Sequence, residues 1–205
     1  RVLTIYVNGE NTGKTVVQGA APAASKFSVV WSPGYLTVKD GAYTFAGPKE
    51  KGMYFKWKSR YGIDLGQKVT STSKYPGKAY GPEETTIAYA DIKPDEVDPC
   101  SLVLPAGTWR MPSEEDFLEL TKGGSKETSK NEYYMCSDGE QTVYLSAAGQ
   151  FKKDASGVFA ATNVFAWTST PGTKTGNSKY LMWTFLTSSG SGTPKISPNT
   201  DNNQG

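Results

Sequence analysis

One stretch of this 205-residue chain, Ser113–Gly124, carries the start and stop signals of a helix, and it is the one clear helix of the sequence. Ser113 is a natural N-cap, and Glu114, Glu115 and Asp116 follow it where the positive end of the helix dipole favours carboxylates. Phe117, Leu118 and Leu120 supply an apolar face, and Gly123-Gly124 stops it. The spacing predicts a helix over 114–121, with at most one more elsewhere. Everything else must be short strands and loops, because 22 Gly, 12 Pro and abundant Ser and Thr interrupt the β-branched and aromatic runs. The expected class is therefore α+β and β-rich, with short antiparallel strands and long loops, in one large domain or two small ones.

The strand signals are local. Val2–Val7 and Thr15–Gln18 flank Asn8-Gly9, and Asp40-Gly41 precedes Tyr43–Phe45, so both read as hairpins. Phe27–Trp31 and Gly34–Val38 are further candidates, separated by Ser32-Pro33. Gly52–Trp57 is the most aromatic segment and reads as a buried strand. The polar stretch from Asp64 to Glu84 reads as a long surface loop. Tyr133–Met135 and Thr142–Leu145 flank another Asp-Gly turn at Asp138-Gly139. Val164–Trp167 and Tyr180–Phe185 follow as strands. Gly19–Ser25 has the composition of a linker, and Ser188–Gly205 that of a mobile tail.

Several function classes are excluded or disfavoured. The net charge of +2 comes from 22 basic and 20 acidic residues scattered without a basic stripe, so nucleic acid is not an expected partner. With no histidine, Ser-His-Asp chemistry, Cys-His chemistry and ordinary zinc catalysis all lose their usual base or ligand. No apolar run approaches the length of a membrane span. The start at Arg1-Val2-Leu3-Thr4, without initiator Met or apolar leader, reads as a mature or excised fragment. Cys100 and Cys136 lack C-x-x-C spacing; they are either one disulfide of an exported protein or two buried thiols.

Five segments occur in order: Gly52–Trp57 (G-M-Y-F-K-W), Asp98-Pro99-Cys100, Gly107–Ser113 (G-T-W-R-M-P-S), Leu145–Gly149 (L-S-A-A-G) and Ala166–Thr170 (A-W-T-S-T). Together they resemble the C-terminal domain of Bacteroidales fimbrillin-like surface proteins, related to the Fibrobacter major paralogous domain. Such domains are similar to the formylglycine-generating-enzyme branch of the C-type-lectin-like fold. The resemblance implies a lectin-like domain over 51–187 and a Gly/Ser/Asn-rich tail over 188–205. Residues 1–50 are then a β segment, either the start of the same domain or the end of a preceding module.

The resemblance implies a non-enzymatic, extracellular, outer-membrane-associated interaction protein, a fimbrial (pilus) or adhesin subunit. Its partners would be other surface subunits, or a glycan or protein ligand, and no cofactor is expected. Alternatives are a carbohydrate-binding module and, remotely, a formylglycine-generating-type enzyme. Family members commonly close with a V-R-C-like strand whose Cys pairs with that of D-P-C. This chain lacks it, which leaves Cys136 as the intrachain option for Cys100 and suggests an open edge for a neighbour's strand. The calcium-holding triplets of sugar-binding lectins are absent as well.

Residue by residue, few candidates point to a site. The helix dipole explains Glu114, Glu115 and Asp116. Asp138, Asp154 and Asp201 fall in turn contexts without a calcium-loop pattern. Trp31, Trp57, Trp109, Trp167 and Trp183 read as core. Tyr75 and Tyr80, in the polar loop, are the expected ligand-facing aromatics. Gly107–Ser113 itself reads as scaffold: a Trp-bearing turn and a helix cap.

Overall fold

The computed structural model describes residues 2–7, 10–17, 27–122, 125–129, 132–152, 154–171, 180–186 and 195–199. Strands β1 (Val2–Val7) and β2 (Glu10–Val17) form the first hairpin, with Val7 opposite Glu10. Its Asn8-Gly9 turn and the Gly19–Ser25 segment lie outside the described residues. Strands β3 (Leu36–Lys39) and β4 (Ala42–Phe45) close around Asp40 and Gly41, both at positive φ, 51° and 76°. That is the geometry a two-residue hairpin turn requires, and Asp-Gly supplies it. Phe27–Trp31, expected as a strand, is irregular instead.

A four-stranded antiparallel sheet follows in sequence order: β5 (Tyr54–Phe55), β6 (Gly62–Ile63), β7 (Lys78–Tyr80) and β8 (Glu84–Thr86). The expected 64–84 loop thus contains one strand and the start of another. Short 3-10 turns at Tyr89–Asp91 and Pro99–Leu102 lead to helix α1 (Glu114–Lys122). The Ser113 hydroxyl accepts from Asp116 N–H at 3.2 Å, and Asp116 accepts from Ser113 N–H at 2.6 Å. This reciprocal box fixes the helix start.

After the helix come β9 (Ser125–Ser129), β10 (Tyr133–Ser137) and β11 (Thr142–Ser146), in the order β11-β10-β9. Strands β12 (Gln150–Phe151) and β13 (Val158–Phe159) pair with each other. A last sheet runs β14 (Asn163–Pro171), β15 (Tyr180–Leu186) and β16 (Lys195–Asn199). Strand β16 falls within 188–205, whose composition reads as a mobile tail unless something holds it, and β15 does so: a short polar strand needs little apolar content when a neighbour supplies its ladder.

Among the described residues three clusters make the interior. Phe117 and Leu120 of α1 pack on Tyr134, Cys136, Val143, Leu145 and Val164, with Phe27. Tyr54, Ile63, Tyr89, Ile92, Phe151 and Val158 form a second cluster, and Leu36, Val38, Tyr43, Phe55 and Val103 a third.

Lys56 breaks the rule that charge stays at the surface: it is 2% exposed. Its ammonium donates to the Tyr89 carbonyl at 2.6 Å and lies 4.0 Å from the Tyr89 ring centroid. Burial, with some help from Lys93 and against Asp91, lowers its pKa to about 8. The unfolded chain therefore holds more protons between pH 8 and 10.5, so this residue makes stability rise with pH across that window. Comparison with Lys56→Met isolates the effect from the buried tyrosines, which titrate above it. Urea titrations should show the native sequence gaining about 2 kcal/mol on the Met variant between pH 7.5 and 10; a constant difference would show that the amine is solvated.

Candidate functional site

The sequence around Gly107–Ser113 holds itself in place with carboxylates. Asp98 accepts from Cys100 N–H at 2.9 Å through one oxygen and from Met111 N–H at 2.6 Å through the other, tying D-P-C to W-R-M-P. Arg110 forks onto Asp116, at 2.6 and 3.1 Å, the bidentate geometry a planar guanidinium favours. Burial pushes the Asp116 carboxyl up, but the bonds from Arg110 and Ser113 outweigh it and hold the group below its usual value. At the helix start Asp116 is a built-in structural partner through its carboxylate, while Glu114 is engaged through its N–H, which donates to Thr170 Oγ1 at 3.0 Å.

The other motif segments are tied to one another in the same way. Trp57 donates its indole N–H to the Thr168 carbonyl at 2.9 Å, and Trp167 donates its own to the Phe55 carbonyl at 2.8 Å. These two reciprocal bonds staple G-M-Y-F-K-W to A-W-T-S-T. Ser169 N–H reaches the Pro112 carbonyl at 2.8 Å, and the Tyr54 hydroxyl donates to the Ala148 carbonyl. Each bond is individually worth about 1 kcal/mol, so the set fixes geometry more than it adds stability.

Between the first and third clusters these segments enclose a cleft of about 670 Å³. Its wall includes Gly52–Phe55, Pro99 and Cys100, Thr108–Pro112, Leu145, Ala148, Gly149, Ala166 and Trp167, so all five motif segments contribute. Trp31, Tyr35, Phe45, Phe117, Tyr144 and Phe165 complete an aromatic lining. Gly107–Ser113, which reads as scaffold from sequence, also forms one wall of this cleft through Thr108–Pro112. Trp109 stands edge-on to Phe45, with centroids 4.9 Å apart. Trp31 leans on Phe117 at 5.4 Å, and its segment is held by the Gln141 amide, which accepts from Trp31 N–H and donates to Val29 O. Burial raises the Tyr35 hydroxyl well above its ordinary pKa.

The residues singled out from sequence fall elsewhere or take other roles. The Tyr75 hydroxyl donates to the Ile87 carbonyl at 2.6 Å and its ring packs 5.7 Å from that of Tyr89. Tyr80 lies on β7, half-buried against the third cluster, and not in a loop. Neither lines the cleft. No disulfide joins Cys100 and Cys136. Cys136 sits on β10 inside the first cluster, while Cys100 packs against the third, so each belongs to a different core. Burial, the Asp98 charge and a hydrogen bond to Asp98 push the Cys100 thiol up to about 12.

Asp138 and Asp154 do turn chemistry: Asp138 accepts from Glu140 and Gln141 N–H, and Asp154 from Ser156 N–H. Trp57 is core at 3% exposure, Trp31, Trp109 and Trp167 face the cleft, and the Trp183 side chain and Asp201 lie outside the described residues. Among the described residues no helix is long and apolar enough to cross a membrane. No family model matches the chain, and no curated protein or solved structure matches it significantly.

Proposed function

We propose that this chain is a non-enzymatic interaction protein of the bacterial surface, a fimbrial or adhesin subunit with a C-type-lectin-like domain, which recognises its partner through the aromatic cleft. The observation that carries the reading is the cleft itself: five segments spread over more than a hundred residues are hydrogen-bonded to one another around it. A preformed concavity with aromatic walls and few polar groups is the usual form of a binding site. The thiol in its wall, with a pKa of about 12, is protonated at neutral pH and a poor nucleophile, which favours binding over thiol chemistry.

Strand β11 offers a second surface. It is an edge strand, and the bonds Asp138 N–H to Gln141 O and Ala147 N–H to Glu132 O set its alternation. By that alternation Tyr144 and Ser146 turn their backbone groups away from β10, and the Ser146 carbonyl there accepts from the Tyr35 hydroxyl at 3.4 Å, which leaves Tyr144 as an edge position to be paired. An edge of this kind supports assembly with a neighbouring subunit.

Immunogold labelling of intact expressing cells should place the protein on the outer surface, and Trp109→Ala should weaken partner capture at least about tenfold, as for a buried aromatic anchor. Label confined to the cell interior would sink the surface assignment, and unchanged capture would sink the cleft.

A further inference from the structure

The polar groups of the cleft are unevenly spent. Trp31 and Trp109 line it, and among the described residues neither indole N–H has an acceptor. Asp116, the acidic side chain that lines it, is engaged by Arg110 and Ser113, and Asp98 behind the wall by Cys100 and Met111. Resting on the reading of the cleft as the recognition site, we infer that it takes a neutral aromatic group bearing acceptor oxygens, such as an aryl carbonyl or ether. The wall has rings to stack against, donors to give and no uncommitted carboxylate to receive.

Two other ligand classes fit less well. A sugar presents many hydroxyls that must donate as well as accept, and few side chains of this largely apolar wall, the hydroxyls of Thr108 and Tyr144 among them, could receive them. A charged ligand would lose its hydration with no unpaired counter-charge to meet it, because Arg110 is already neutralised by Asp116. A neutral ring avoids both costs. Its oxygens would satisfy two indole N–H groups that otherwise depend on water.

The test uses flavone, neutral and acceptor-only, with maltotriose and naphthalene-2-sulfonate as comparators, read by quenching of tryptophan fluorescence and by saturation-transfer NMR. Flavone should saturate one site. Trp31→Phe and Trp109→Phe keep the ring and remove the donor, and each should weaken binding about fivefold, one hydrogen bond's worth. Near-UV circular dichroism checks that both variants remain folded. Phe variants that bind flavone as the native chain does would overturn the donor argument, as would equal binding of the sulfonate. Saturable maltotriose binding that Trp109→Ala abolishes would overturn the ligand class and leave the cleft as the recognition site. Failure of all three probes, with partner capture retained in Trp109→Ala, would overturn both.

Discussion

Phe117→Ala is expected to cost the folded state about 4 kcal/mol, the largest effect of a single side chain in the first cluster. Phe117 is 2% exposed and sits where α1 meets β10, β11 and β14. It shares its cluster with Tyr134, Val143, Leu145 and Val164 and leans on Trp31 at the cleft wall. Truncation removes the transfer free energy of a phenyl ring and leaves a hole that the two-sided packing cannot close. Urea unfolding should show a lower midpoint with an unchanged slope. Val30, on the same cleft but 76% exposed, is the control: Val30→Ala should stay within about 0.5 kcal/mol. Comparable losses at both positions would mean that α1 does not organise this core.

The parts of the fold legible in the sequence are those that local chemistry decides. Asp40-Gly41 can adopt two positive φ values in succession, so its hairpin was readable from two residues. Ser113 and Asp116 exchange bonds within one helical turn, so the start of α1 was readable from four. The parts that were not legible depend on distant partners. Lys56 looks like a surface charge until the 3-10 turn at Tyr89 supplies a carbonyl and a ring for its ammonium. Lys195–Asn199 has no strand composition and becomes one because β15 offers an edge.

The site followed the same division. Five motif segments were visible, but nothing local in them tells a Trp that staples from a Trp that lines. Trp57 and Trp167 give their indole N–H groups to carbonyls 111 and 112 positions away, whereas Trp109 gives its own to none among the described residues. The Tyr75 and Tyr80 reading went by a polar loop composition, which says nothing of what lies beneath it. Here Tyr89 and the third cluster lie beneath, and both tyrosines turn inward. A signal that could have pointed to the cleft is the run of small residues Ser146–Gly149 next to Tyr144, which allows a close backbone approach.

That signal has a testable core at Gly149. Its φ of +71° is one that L side chains rarely adopt. A Cβ there would lie 2.5 Å from Val158 Cγ1, 2.7 Å from Ala161 Cα and 2.8 Å from the Phe159 carbonyl oxygen. Two of those three are backbone atoms and cannot rotate away. Gly149→Ala should therefore combine a left-handed penalty of about 1 kcal/mol with overpacking of about 2 kcal/mol, a loss near ~3 kcal/mol in all. Gly77 separates the two contributions, because it shares the positive φ, +79°, but has nothing within 4 Å of its added Cβ. Gly77→Ala should lose only about 1 kcal/mol. Since Gly149 also forms part of the cleft wall and its N–H holds the Asn163 carbonyl at 2.9 Å, the Ala variant should blur the site as well as destabilise it. Chemical denaturation of the two variants side by side gives the difference directly. Equal losses would mean that the β12–β13 hairpin yields to the extra methyl and that the close approach at Gly149 is not what shapes this wall of the cleft.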